Sequence, residues 1–127
     1  MKKILITAAV LGMSGIVLGA FGAHILKELI TVEAQKTFEV GVRYQMYHAL
    51  LLLFVGSTSI VTKKTKHIVF YLVTTGVICF SGSIYALATN ALSGFDFKTI
   101  GFITPIGGLL LIIAWVFLII DFLKNEF

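Results

Sequence analysis

Charge is what this sequence has least of. Only 13% of its 127 residues are Asp, Glu, Lys or Arg, against about 25% in an average soluble domain. That leaves too little polar surface to keep a folded chain of 13.9 kDa in water, so lipid is the solvent for its apolar bulk. Proline occurs once and cysteine once. A single cysteine, Cys79, excludes an intramolecular disulfide and says nothing of redox compartment; it reads as a small inert hydrophobe. The strict apolar–polar alternation of a transmembrane barrel is missing, as are a phosphate-binding loop and a lipase-like nucleophile elbow. The net charge of +4 has no soluble basic face to carry it, which sets nucleic acid aside as a partner.

What is present is apolar sequence in long runs. Hydrophobic residues make up 58% of the chain, and mean hydropathy is +1.03. Runs at about residues 4–26, 44–61, 68–91 and 100–122 are each of membrane-spanning length. Backbone groups in lipid must be satisfied internally, so the runs are expected to be helices. A cleavable signal peptide is the rival reading of the first run, because Ala20-Phe21-Gly22 offers small residues after a basic start. The run is as long as a bilayer requires, and the expectation is a retained helix.

Between the first two runs, Glu33, Lys36 and Arg43 recur at helical spacing, with Ala34, Phe38 and Val42 on the opposite side. This predicts a short amphipathic interfacial helix over residues 31–43, capped by Thr31. The expected fold is an all-α membrane protein of one domain, residues 1–127. It has four transmembrane helices in a compact bundle, plus that interfacial helix.

Lysine and arginine set the orientation. With four spans, Lys2, Lys3, Lys63, Lys64, Lys66 and Lys124 share one side, and Lys27, Lys36, Arg43 and Lys98 the other. The basic start and the tight basic loop at residues 63–66 place both termini in the cytoplasm. The lysines beside the runs suit anionic headgroups, so membrane lipids are expected partners.

Polar residues within the runs gather toward the outer leaflet. At 1.5 Å per residue, His24 lies about 30 Å from the inner end of its run, and His48 about 20 Å above Val61. Ser81 and Tyr85 lie about 20 and 26 Å above Ile68, and Thr104 lies just below the outer end of the fourth run. Tyr44 and His48 share a helix face, with Tyr47 beside them and Arg43 abutting. Ser81 and Tyr85 share another, with Ser83 turned elsewhere. The inner halves are apolar apart from Thr74, Thr75 and Trp115, the last read as a packing or interfacial aromatic.

Gly15, Gly19 and Gly22 line the first run, which suits close helix packing within the chain or in a homo-oligomer. Pro105 followed by Gly107 and Gly108 reads as a broken helix, a packing kink, or a helix that begins near Thr104.

Four segments together are familiar: Gly19-Ala20-Phe21-Gly22-Ala23-His24, Tyr44-Gln45-Met46-Tyr47-His48-Ala49-Leu50, Phe80-Ser81-Gly82-Ser83-Ile84-Tyr85-Ala86-Leu87, and Thr104-Pro105-Ile106-Gly107-Gly108 with Trp115. In that order they resemble the YgdD/YwdK-like family of small membrane proteins, catalogued as a domain of unknown function with eukaryotic relatives. The resemblance covers nearly the whole chain. It implies a four-helix protein of the bacterial cell membrane and brings no catalytic roles with it.

Function is read from the polar layer. A metal or haem at His24 and His48 draws on imidazole as a ligand, but no Cys, Asp or Glu in the spans joins them. A general base at either histidine has hydroxyls nearby at Ser81 and Tyr85 but no acid in the spans to orient it. The leading expectation is a non-catalytic accessory or scaffold component of a membrane complex. The alternative is binding or transport of a small ligand, lipid or ion at the outer layer around His24 and His48.

Overall fold

In a computed structural model the described residues, 1–94 and 96–125, form four long α-helices, with short 3-10 turns between the first and second and between the third and fourth, and no strand among them. The Lys98 side chain, counted above on the outer side, and the tail residues Glu126 and Phe127 lie outside the described residues. Helix α1 is Lys2–His24, α2 is Val32–Ser57, α3 is Lys63–Ala88 and α4 is Ile103–Lys124. Three segments, Lys2–Glu28, Lys63–Ala88 and Ile103–Lys124, are long and apolar enough to cross a membrane. Helix α2 has the length, 26 residues, but its first half carries Glu33, Lys36, Glu39 and Arg43.

Those charges belong to a continuous helix. The amphipathic segment expected over residues 31–43 and the run expected from residue 44 form one rod, because no proline or other break separates them. Thr31 caps it, its hydroxyl accepting from the Ala34 N–H at 3.1 Å. The rod stops at Ser57, four residues before the expected end, and Val61 tucks into the core from the linker. The basic residues read as a loop are instead the opening of α3, with Thr62 as its cap. Pro105 stands in the first turn of α4, where a backbone donor has no helical partner anyway. Of the three readings of that segment, a helix beginning near Thr104 is the one observed.

The helices pack in chain order, α1 on α2, α2 on α3 and α3 on α4. One core cluster joins Ile4 and Ala8 to Leu52, Val55, Val69, Val73, Leu111, Ala114 and Leu118. A smaller one at the opposite end holds Leu26, Phe38 and Ala88. The contact of α1 with α2 runs from end to end: Gly22 faces Phe38, Gly19 faces Val42, Gly15 faces Met46, and Leu5 faces Gly56. The closest approach is between α3 and α4. A methyl group on Gly107 meets the Phe80 backbone nitrogen at 2.3 Å, so only a glycine fits. Its neighbour Gly108 lies under the Phe80 ring. The outward faces are apolar, with Val10, Met13, Ile16 and Val17 on α1 and Leu109, Ile112, Val116 and Ile119 on α4 all exposed. A water-soluble monomer rarely exposes apolar surface on that scale.

Candidate functional site

The polar side chains of the bundle fall into separate hydrogen-bonded groups, each tying one helix to another. The first centres on Gln45, which is 4% exposed. Its amide nitrogen donates to the Leu11 carbonyl at 2.9 Å and to the Ser14 hydroxyl at 2.8 Å, both on α1. Its amide oxygen accepts from the Tyr85 hydroxyl at 2.7 Å, on α3. One helical turn away, the Ser81 hydroxyl donates to the Gly41 carbonyl at 2.7 Å. The four-residue spacing of Ser81 and Tyr85 therefore meets the same spacing of Gly41 and Gln45. The sequence pairing of Ser81 with Tyr85 anticipates half of this. Gln45 went unremarked, although an amide inside an apolar run needs partners to offset its desolvation.

The second group centres on His48, also 4% exposed. Its Nδ1 lies 2.7 Å from the Tyr44 carbonyl, which can only accept, so Nδ1 carries the proton. Nε2 is then free to accept from the Trp115 indole N–H at 3.2 Å. Both ring nitrogens are occupied. Placing Trp115 with the apolar inner halves and His48 in the outer half is corrected by this bond. With α2 ending at Ser57, His48 and Trp115 each stand nine residues from the same end of the bundle, about 14 Å. Tyr44 stacks loosely on His48 and leans on Phe80, with ring centroids 6.5 and 5.2 Å apart. Together with Gly108, Leu111 and Ile112 these rings line a laterally open groove of about 340 Å³.

The third group is the contact of the Ser83 and Thr104 hydroxyls at 2.5 Å, which ties α3 to the first turn of α4. The fourth lies at the other end of the bundle and escaped the sequence reading. Asp121, 5% exposed near the end of α4, accepts from the Thr62 and Thr65 hydroxyls at 2.6 and 2.8 Å and from the Thr62 N–H at 3.1 Å. The expectation of no acid in the spans is corrected by this carboxylate, though it faces the start of α3 and not an imidazole. Lys66, 7% exposed, donates to the Thr58 carbonyl beside it.

Two expected members stand apart from these groups, and a third, Tyr47, meets the second group only through an edge-on ring contact with Tyr44, centroids 5.5 Å apart. His24 is exposed at the end of α1, and Arg43 and Tyr47 are exposed on α2. His24 does not line the groove that holds His48. Among the described residues no three His, Cys, Asp or Glu side chains come together. Among the described residues every buried polar residue is bonded within the chain, and the one buried side-chain oxygen without a partner belongs to the half-buried Thr74. Chemically, the arrangement joins helices and leaves an apolar, aromatic groove on the outer surface.

Comparison with known proteins places these features in a wider set. A family model described as a protein of unknown function, DUF423, matches residues 18–108. That segment takes in Gln45, His48, Ser81, Ser83, Tyr85 and Thr104. A UPF0382 membrane protein of Staphylococcus aureus is 40% identical over 124 residues, 98% of each chain. One from Haemophilus influenzae is 34% identical, over 98% of this chain and 97% of its own. The UPF0382 membrane protein YwdK of Bacillus subtilis is 34% identical over 98% of both, in line with the resemblance read from the four motifs. No solved structure matches.

Proposed function

This chain belongs to the DUF423 family, and from that premise we propose that it is a four-span protein of the bacterial cell membrane. In this reading it serves as a non-catalytic accessory or scaffold component, with both termini cytoplasmic. The fourth span is α2. A helix of 26 residues is about 39 Å long, and α2 lies against α1 from Gly22–Phe38 at one end to Leu5–Gly56 at the other. If α1 crosses the bilayer, a rod packed along its whole length crosses too. The charged first half of α2 then emerges at the outer interface, where Glu33, Lys36 and Arg43 meet water. Lys3 reaches Tyr71, and Lys64 and Lys124 border one cavity, so the basic residues of the three inner segments lie at one end. That clustering supports the cytoplasmic orientation.

The accessory role rests on one observation: both nitrogens of the buried His48 are bonded inside the bundle. A general base needs a free lone pair aimed at a reactant, and a ligand-binding imidazole needs one aimed at its ligand. Here the polar groups fix how the helices sit, and the chain offers other proteins a rigid apolar exterior. The reading is tested with protein taken from its own membrane in mild detergent. On a native gel it should run within an assembly larger than its own 13.9 kDa plus micelle. His48→Ala should lower abundance and assembly together. Migration as a bare chain, or lost biological effect at normal abundance and assembly size, would overturn it.

A further inference from the structure

At the inner end of the bundle, between the start of α3 and the end of α4, lies a cavity of about 250 Å³. Its wall divides by chemistry. Ile68, Phe117 and Ile120 form an apolar side, while Lys64 and Lys124 stand at a polar rim with Asn125. Both lysines are exposed, and neither has a hydrogen-bond partner among the described residues. One acid also borders the cavity, Asp121, but its oxygens are turned to Thr62 and Thr65, which supply three donors. The lining thus keeps two uncommitted cations against one committed anion. A small apolar wall continuous with a cationic rim matches one class of molecule, an amphiphile with an anionic head.

We propose that this cavity holds an anionic phospholipid of the inner leaflet, its phosphate between Lys64 and Lys124 and its upper acyl chain against Ile68, Phe117 and Ile120. The proposal rests on the membrane-spanning reading above, which sets this end of α4 at the headgroup level. Basic pockets between membrane helices on the cytoplasmic side recognise lipid heads by the same combination. The occupant is a lipid and not free phosphate because Ile68, Phe117 and Ile120 give the cavity an apolar wall that a bare anion would leave uncovered.

The test is native mass spectrometry of the full chain released from nanodiscs of phosphatidylcholine doped with phosphatidylglycerol. Stable insertion into discs of phosphatidylcholine alone checks the spanning reading separately. With both lipids present, wild type should retain one phosphatidylglycerol on the order of tenfold above its share of the disc, as two lysines at a lipid surface provide. Lys64→Gln/Lys124→Gln should bring retention down to that share, and Lys64→Arg/Lys124→Arg should keep it. Lys27→Gln/Lys36→Gln, which removes the same charge at the other end, should leave it unchanged. Circular dichroism confirms that each variant is folded. Equal loss in both glutamine pairs, equal retention of the two lipids by wild type, or displacement of the lipid by millimolar inorganic phosphate would overturn the proposal.

Discussion

At Gln45 one amide uses its nitrogen on α1 and its oxygen on α3 while its backbone belongs to α2. Hydrogen bonds between membrane helices average about 0.6 kcal/mol and reach about 1.7. Gln45→Leu keeps the volume and removes all three bonds, so it should cost roughly 1–2 kcal/mol and lower the melting temperature in detergent. Tyr85→Phe removes one bond and should cost about 0.6 kcal/mol. Because the two share that bond, the double variant should lose less than the two single losses added together. A Gln45→Leu protein that melts with wild type would remove Gln45 as the link between the helices. The same residues mark how far the sequence could be read. Ser81 and Tyr85 fall on one face by spacing alone. Which face of α2 they meet depends on the angle at which two rods cross, and no spacing within either helix contains it. His48 shows the same limit: its bond to Trp115 follows from where α2 ends, a boundary the apolar run does not mark.

Among the elements, the α3–α4 pair is fixed by backbone contact. A methyl on Gly107 comes within 2.8 Å of Cys79 C and Phe80 Cα as well as 2.3 Å of Phe80 N, and a backbone cannot rotate away as a side chain can. Gly107→Ala should therefore force the helices apart and cost about 1–3 kcal/mol, the range for overpacked interiors. Gly12→Ala is the control, since nothing lies within 4 Å of its added methyl. It should melt at or above wild type, as alanine favours helix. Equal melting of the two variants would mean that α3 and α4 are free to separate. The start of α3 makes a second prediction. Lys63, Lys64 and Lys66 crowd the positive end of the helix dipole, and Asp121 is the counter-charge that bonds there. Asp121→Ala should cost about 1–2 kcal/mol, the upper range for a lost cap, and fray the first turn. Hydrogen exchange would detect this as faster exchange at residues 63–66 than in wild type. Helix existence was legible because apolar length alone dictates it. The Thr31 cap was legible too, being local, whereas the start of α3 was not, since Asp121 acts on Thr62 from 59 residues away.

For the molecule as a whole, the question is whether α2 crosses the bilayer with its neighbours. Its first half is too charged to be read as a span by hydropathy, yet its contacts follow α1 along its full length. A helix cannot both lie flat at the interface and pack antiparallel to a spanning helix from Phe38 to Gly56. In the four-span reading proposed above, packing outweighs the local hydropathy, at the cost of bringing Arg43 and its neighbours near the outer headgroups, where long side chains reach water. Single cysteines in a Cys79→Ala background convert this into a measurement. Lys36→Cys, in the first turns of α2, should react with a membrane-impermeant maleimide on intact cells stripped of their outer layers. Lys63→Cys, just past its end, should react only after the membrane is opened. Reaction of both on intact cells would put the two ends of α2 on one side and remove it as a span. Reaction of Lys63→Cys alone would keep all four spans and invert the orientation, moving the cavity of Lys64 and Lys124 to the outer leaflet.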